Sequence, residues 1–216
     1  MGAYKETVGS QDQVSVAYGG LNQINFLQNG EITVSPIIIP RKQLIDLNSH
    51  MMLFYTGIVR TAENVAKSYV NNYDKKKREL LMMKGLVNEA ITILEDGNDL
   101  SDFGKLMHET WAIKRSLSSV VSNSNVDDIY DLARSAGAIG GKLAGAGGGG
   151  FMILFVPPEK HSDVLKKLNK LIYVPFKFDY SGTQIIFHEP EKDYSDLERK
   201  RKFQKIDSFK DLEDIQ

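Results

Sequence analysis

The sequence contains no cysteine and carries almost no net charge. Without cysteine, the chain cannot form disulfides, use a thiolate nucleophile or bind metal through thiolates. This composition fits a reducing compartment and predicts a cytoplasmic location. Lysines and arginines number 27 against 28 aspartates and glutamates, a formal net charge of −1. No overall basic field therefore favours nucleic acid, and we predict no nucleic-acid partner.

Long apolar segments are also missing. No run reaches the length of roughly 20 apolar residues that a transmembrane helix needs. The first residues, Met1–Glu6, lack the apolar core of a signal peptide. We therefore predict no membrane association. The 216 residues are enough for one or two domains with buried cores.

Glycine is concentrated in one place, the segment Lys142–Gly150, where five of the six positions 145–150 are glycine. Glycine loses more backbone freedom on folding than any other residue, so this cluster needs a reason. One interpretation is a tight crossover from a helix to a strand. The other is a loop whose bare N–H groups face a phosphate or a substrate. We favour the second, because a simple turn needs only one or two glycines.

A short helix is predicted near the N-terminus. Ser10 is placed to cap a helix that runs towards Tyr18, and Gly19-Gly20 ends it. Asp12 then lies in the first helical turn, where the N–H dipoles favour a carboxylate. On these residues alone, Asp12 reads as an ordinary first-turn acid.

A β-hairpin is predicted next. Asn22–Leu27 and Glu31–Ile39 are strand-like, and Gln28-Asn29-Gly30 between them is a strong hairpin turn signal. Arg41–Ser49 is expected to be a connector that contains a domain boundary, and His50–Tyr55 is expected to be a third strand.

The middle of the chain, 62–138, has a helical pattern. Apolar residues between Leu80 and Leu94 recur near a period of 3.6, which predicts a helix that faces the core. Ser124-Asn125-Val126-Asp127 has the spacing of a capping box before another helix. The predicted helices are 62–73, 80–94, one that opens at Ser101, and 128–138.

The last third of the chain predicts a mixture of strands and a helix. Phe151–Val156 is too apolar to be half exposed, which indicates a central strand. The other predicted elements are a helix from Pro157-Pro158 to Leu171, strands at 173–178 and 183–188, and a charged tail, 191–216, that is helical or disordered. Because strands and helices do not alternate regularly, the order favours an α+β fold with helices on one face of an antiparallel sheet.

Three polar positions in the helical part are candidates for ligand contact. Arg60 lies where a strand gives way to a helix. Its guanidinium is suited to bind a phosphate or a carboxylate of a substrate. The alternative is an ordinary solvated arginine on the surface. Lys114 and Arg115 are adjacent on one helix, so at most one of them points at a given ligand. His108 is expected to be a surface or hydrogen-bonded histidine.

Taken together, several segments resemble the GHMP small-molecule kinases, and in particular their sugar-kinase branch. The glycine segment resembles the third, glycine-rich motif of that family. The resemblance runs from about Gln11 to His188, and its other parts are Gln11-Asp12-Gln13, Ala17-Tyr18-Gly19-Gly20, Tyr55-Thr56-Gly57 with Arg60, and His108-Glu109 with Lys114.

The resemblance implies an enzyme that uses ATP and Mg²⁺ to phosphorylate the anomeric hydroxyl of a sugar or sugar phosphate such as heptose 7-phosphate. Asp12 matches the family's catalytic aspartate. This match replaces the interpretation of Asp12 as an ordinary first-turn acid. Arg60 and Lys114 become candidate substrate contacts. The glycines at the acceptor side are Gly145, Gly147, Gly148 and Gly149. No protein metal ligand is implied, and a homodimer is compatible with the sequence.

The resemblance also implies a ferredoxin-like C-terminal domain, at 46–190, preceded by a remnant of an N-terminal domain at 1–45. The family's main ATP-phosphate loop lies upstream of the catalytic aspartate, and the eleven residues before Asp12 contain no such loop. We therefore expect a C-terminal part of a kinase, with little activity alone and weak binding of ATP.

A different class of function has the same fold. The chain is alternatively a non-catalytic ligand-binding or regulatory domain, since fold does not settle function. An RNA-binding module has less support, because no basic stripe with stacking aromatics is found on the predicted strands.

Overall fold

A computed structural model of the chain describes residues 9–58, 73–97, 99–186 and 193–201. The chain forms two compact units, Met1–Thr183 and Gln184–Gln216. In the second unit the described structure is one short helix, α7, Ser195–Arg201. None of the described helices combines the length and the apolar character needed to cross a bilayer.

The first unit is an α+β structure, which confirms the predicted fold class. Its elements in chain order are α1 (Gln11–Tyr18), β1 (Asn22–Phe26), β2 (Ile32–Pro36), α2 (Arg41–His50), β3 (Met51–Tyr55), α3 (Tyr73–Glu95), α4 (Ser101–Leu117), α5 (Ser124–Ser135), β4 (Gly140–Leu143), β5 (Phe151–Phe155), a 3₁₀ turn (Pro158–Lys160), α6 (His161–Lys167) and β6 (Ile172–Tyr173).

Two antiparallel sheets organise these elements. One is the isolated hairpin β1–β2, in which Asn22 pairs with Pro36 and Phe26 with Ile32. The other has four strands in the order β4-β5-β3-β6. The apolar strand β5 lies inside that sheet, between β4 and β3, as its sequence predicts.

Alternate side chains of the central strands enter two apolar clusters, as the two-residue repeat of a strand requires. The first cluster takes Met152 and Leu154 of β5 and packs them against Trp111 of α4 and Tyr130 of α5. The second takes Phe155 and joins it to α2, α3 and α4 through Leu47, Leu94 and Met107. Because both clusters reach α4, this helix is fixed from two sides.

The N-terminal helix and the hairpin are confirmed. α1 ends at Tyr18 and the turn between β1 and β2 contains Asn29-Gly30, as predicted. Ser10 precedes α1, but its side chain makes no capping hydrogen bond. The predicted position of α1 is therefore right, and the predicted role of Ser10 as its capping residue is wrong.

Residues 41–49 form a helix, so their prediction as a connector is wrong. The reason is long-range. Leu47 of α2 is 1% exposed in the second cluster, and the buried Gln43 donates from Nε2 to the carbonyl of Leu94 at 2.7 Å. Packing against α3 thus stabilises a segment whose own sequence is mostly polar.

The predicted strand pair near the C-terminal end is also wrong within the described residues. Only Ile172 and Tyr173 are in a strand, and 174–186 is irregular. Backbone donors of this segment bond elsewhere: Phe178 N–H to Asn48 Oδ1 at 3.1 Å and Thr183 N–H to Ala17 O at 3.0 Å. Residues 62–72 of the predicted helix 62–73, and residues 187–188 of the second predicted strand, lie outside the described residues.

Two boundaries shift by a few residues. The helix that follows Pro157-Pro158 ends at Lys167 rather than Leu171. Lys142 and Leu143, assigned to the glycine segment, belong to strand β4 and pair with Ile153 and Met152. The glycine loop proper is therefore 144–150.

The N-cap of α5 is Asn123, so the predicted capping box is displaced by one residue. Asn123 Oδ1 accepts from the N–H of Val126 at 3.1 Å, and its Nδ2 donates to Gly148 O at 3.2 Å. Asp127 does not complete a box but accepts from Arg115 at 2.9 Å and from Ser122 at 2.8 Å.

Asn123→Ala is therefore expected to lower the free energy of unfolding by about 1–2 kcal/mol, because it removes a helix cap and a bond to the glycine loop. Ser124→Ala is the matched control, with an expected change within about 0.5 kcal/mol. Urea denaturation measures both. Equal losses for the two variants would contradict the assignment of the cap to Asn123.

Candidate active site

Backbone contacts fix the C-terminal end of α1. Gly20 N–H donates to Asp179 O at 2.7 Å. A Cβ atom on Gly182 would lie 2.5 Å from Ala17 O, so the two segments touch backbone to backbone. Since α1 buries none of its own residues, this contact is what positions it. Its first turn, with Asp12, faces solvent.

The second half of the glycine loop is anchored to neighbouring loops. Gly148 N–H donates to Val121 O and Gly150 N–H to Ile58 O, both at 2.8 Å. The Thr56 hydroxyl donates to Gly150 O at 2.8 Å. A Cβ atom on Gly149 would lie 2.4 Å from Ile58 O, which excludes any side chain there. These glycines serve the close packing of the loop.

The loop is open at Gly145. Gly145 has φ +70°, and a Cβ atom there would meet nothing within 4 Å. Its carbonyl accepts a hydrogen bond from Lys114 Nζ at 2.5 Å. Lys114 lies in the last turn of α4, so this bond joins the end of the helix to the open side of the loop.

Two charged groups from other elements influence Lys114 electrostatically. Burial, and next the positive charge of Lys142, lower the pKa of Lys114 to about 8, while the Asp12 carboxylate raises it. Lys114 therefore lies within electrostatic reach of both an acid of α1 and a second lysine of β4. A carboxylate with two ammonium groups beside an open backbone loop can bind an anion and orient a hydroxyl.

Lys142 is the residue that the analysis of the sequence missed as a site residue. It lies on β4, and burial lowers its pKa. The available signal was a lysine between glycines and apolar residues, in Gly140-Gly141-Lys142-Leu143. A charged side chain in such a strand is not explained by packing, because burying a cation is unfavourable without a partner.

An aromatic pair borders the loop on the sheet side. Phe151, the first residue after the loop, is 41% exposed although it is a large apolar side chain. It pairs with Tyr55 across β5 and β3, and the two ring centroids are 5.3 Å apart. This pair offers an apolar surface next to the glycine loop.

The remaining candidate residues are Arg60, Arg115 and His108. Arg60 lies outside the described residues. Arg115 bonds to Asp127 and lies over the rings of Trp111 and Tyr130. His108 is hydrogen-bonded, as predicted: its Nδ1 lies 2.7 Å from the Tyr130 hydroxyl.

Within the described ranges, no three histidine or carboxylate side chains converge in a way that could hold a metal ion. Mg²⁺ in kinases is typically held by one or two carboxylates together with substrate phosphates. The arrangement around Asp12 therefore fits phosphate chemistry better than a metal site built from protein ligands alone.

Comparison with known proteins identifies the family. Residues 82–173 match the family described as GHMP kinases C terminal. D-glycero-alpha-D-manno-heptose 7-phosphate kinase of Campylobacter jejuni is 33% identical over 165 residues, which are 75% of this chain and 48% of that protein. Mevalonate kinase of Methanocaldococcus jannaschii is 44% identical over 69 residues, which are 32% of this chain and 21% of that protein.

Solved structures give the same result for the fold. A D-glycero-D-manno-heptose 1-phosphate kinase from Bacteroides thetaiotaomicron superposes with a TM-score of 0.52 at 27% identity, over 83% of this chain and 50% of that one. L. major mevalonate kinase superposes with a TM-score of 0.61 at 23% identity, over 77% and 50% of the two chains. This chain thus spans about half the length of the heptose 7-phosphate kinase and of the two solved structures. It is a member of the GHMP kinase family, whose C-terminal domain it carries.

Proposed function

We propose that this chain carries the acceptor side of an ATP-dependent sugar kinase, which phosphorylates the anomeric hydroxyl of a sugar or sugar phosphate such as heptose 7-phosphate. One observation carries the proposal. Lys114 of α4 donates from Nζ to the carbonyl of Gly145, where the glycine loop is open, and the Asp12 carboxylate is near enough to raise the pKa of Lys114. The 33% identity to a heptose 7-phosphate kinase supports the choice of acceptor.

In the proposed reaction the sugar hydroxyl attacks the terminal phosphorus of ATP. A new O–P bond forms, the bond to the ADP oxygen breaks, and the hydroxyl proton passes to Asp12. Such transfer depends mainly on positioning and on stabilising negative charge, with one carboxylate to orient the hydroxyl. Asp12 takes that role here, and Lys114 supplies positive charge. ATP and Mg²⁺ are the proposed cofactors, with Mg²⁺ neutralising the nucleotide phosphates.

The domain organisation belongs to the same proposal. Residues 46–190 are proposed as the kinase C-terminal domain, which contains the whole matched segment 82–173. Residues 1–45, with α1 and the hairpin, are proposed as part of the N-terminal kinase domain, and 191–216 as a tail. Asp12 and Lys114 would then come from different domains and meet at their junction.

A titration of acceptors followed by a transfer assay tests the proposal. We expect heptose 7-phosphate to bind in calorimetry. Since this chain is expected to have little activity alone, ³¹P NMR with Mg-ATP at high protein concentration should show slow formation of a phosphate on the anomeric oxygen. Mannose and glycerol 3-phosphate are the comparison ligands for sugar and for phosphate. Binding of heptose 7-phosphate without any transfer would favour the ligand-binding alternative, and absence of binding would contradict both.

A further inference from the structure

Lys142 extends from β4 towards the same side as the neighbouring helix α4. Successive strand residues face opposite sides, so Lys142 shares the side of Gly140. At Gly140 a Cβ atom would lie 1.9 Å from Gly104 O, so this side of β4 rests directly on α4. The last turn of α4 carries Lys114, whose ammonium group responds to the charge of Lys142. The two lysines therefore converge from a strand and a helix that are locked together.

The positive charge of this pair is not balanced by the described part of the protein. Lys114 donates to a neutral carbonyl, that of Gly145. For Lys142, no hydrogen bond or ion pair is found among residues 9–58, 73–97, 99–186 and 193–201. Burying a cation beside another cation is unfavourable unless a counter-charge is supplied. Among the described residues, Asp12 supplies the one carboxylate that raises the pKa of Lys114. One of the two positive charges therefore has no counter-charge.

The adjoining loop offers further donors. In the described structure the N–H groups of Ala144, Gly148 and Gly150 have backbone partners, whereas none is found for Gly145, Ala146 and Gly147. Successive free N–H groups in a turn form a concave anion site. The space lies at Gly145, where nothing is within 4 Å of a Cβ atom, whereas a Cβ atom at Gly147 would lie 2.8 Å from Val121 O.

We propose that Lys142, together with Lys114, binds a phosphate dianion on the open side of the glycine loop. This inference rests on the proposed function for the identity of the ligand and deepens it, since it assigns a phosphate-bearing ligand to that side of the site. A phosphate group carries −1.5 to −2 charges at neutral pH and three acceptor oxygens, so it matches two ammonium groups and nearby N–H donors. The phosphate belongs either to the acceptor or to the nucleotide.

The test compares phosphorylated with neutral ligands in wild type and Lys142→Met, which keeps an unbranched apolar side chain of similar length. The probes are inorganic phosphate, mannose 6-phosphate, ATP and unphosphorylated mannose, titrated by calorimetry. We expect Lys142→Met to lower the affinity for at least one phosphate-bearing probe about tenfold or more, because a hydrogen bond to a charged group is lost. The affinity for mannose should not change.

Which probe loses affinity identifies the source of the phosphate: mannose 6-phosphate for the acceptor, and ATP for the nucleotide. Lys42→Met, at an exposed lysine of α2, is the control for a general loss of positive charge and should alter no affinity. Equal affinities of wild type and Lys142→Met for every phosphate-bearing probe would overturn the proposal. An equal weakening of mannose and mannose 6-phosphate would overturn it too, because it indicates a structural role.

A second measurement uses the wild-type protein, so it does not depend on the folding of a variant. ¹⁵N NMR of the lysine side chains should show that inorganic phosphate raises the pKa of both Lys142 and Lys114, since an opposite charge favours the ammonium form. No change on saturation with phosphate would overturn the proposal. Phosphate binding without any phosphoryl transfer would leave this subsite intact and contradict only the kinase function.

Discussion

Replacing Gly140 with alanine is expected to lower the free energy of unfolding by about 3–5 kcal/mol, the largest loss of stability among the changes considered. The added Cβ atom would lie 1.9 Å from the carbonyl oxygen of Gly104 and 2.8 Å from the backbone nitrogen of His108. Both are main-chain atoms of α4, so no side-chain rotation relieves the overlap. The strand and the helix would have to separate.

The matched control is Gly85→Ala in α3. There a Cβ atom meets nothing within 4 Å, and alanine is the better helix former, so a gain of about 0.5–1 kcal/mol is expected. Urea or thermal unfolding of the two variants measures the difference, which has opposite signs for the same chemical change. A Gly140→Ala protein within about 1 kcal/mol of wild type would show that β4 and α4 are not in backbone contact.

The same contact has a consequence for the site. Lys114 lies ten residues after Gly104 on α4, and Lys142 lies two residues after Gly140 on β4. A wider gap between these elements would move the two ammonium groups apart. A Gly140→Ala variant that still folds should therefore bind phosphate more weakly, although neither lysine has been replaced.

Local sequence signals were sufficient for the N-terminal part of the fold. The Asn-Gly turn and its two flanking apolar runs determine the hairpin, and paired glycines end α1. Both features depend on residues a few positions apart, so a single segment contains the information. The central strand β5 can also be predicted from its own sequence, because a run of five apolar residues favours burial, and only Phe151 at its start stays exposed, at 41%.

Features that depend on distant partners were not predictable in the same way. The helix α2 has little apolar periodicity of its own, and it is stabilised where Leu47 and Gln43 meet α3 about fifty residues later. Residues 173–178 and 183–188 were read as two strands from their alternation, but the N–H of Phe178 bonds to Asn48 and the N–H of Thr183 bonds to Ala17. In both cases tertiary contacts override the local preference.

The site shows the same division. The glycine loop was recognisable as a motif, and its resemblance to the GHMP kinases drew attention to Asp12 and Lys114. The motif could not separate the glycines that pack the loop, such as Gly149, from Gly145, which leaves space for a ligand. Lys142 was missed because its significance lies in its neighbour on α4, and that proximity is created only by the fold.

Asp12→Asn is expected to lower the slow phosphoryl transfer of this chain about 10²–10⁴-fold, the usual contribution of a positioned general base. The amide keeps the size of the carboxylate but cannot accept the hydroxyl proton. Because Asp12 is exposed in the first turn of α1 and buries no surface, the stability should change by less than about 0.5 kcal/mol. Acceptor affinity should stay within a few-fold of wild type, so the loss appears in kcat rather than in KM.

An electrostatic measurement on Lys114 checks the position of Asp12 independently of activity. The Asp12 carboxylate raises the pKa of Lys114 against the larger effects of burial and of Lys142. Asp12→Asn removes that contribution, so the pKa of Lys114 should fall below its wild-type value of about 8. Asp46→Asn, at an exposed acid of α2, is the control and should alter neither the rate nor this pKa. If Lys114 titrates identically in wild type and Asp12→Asn, the carboxylate lies too far from the glycine loop to act on a hydroxyl bound there.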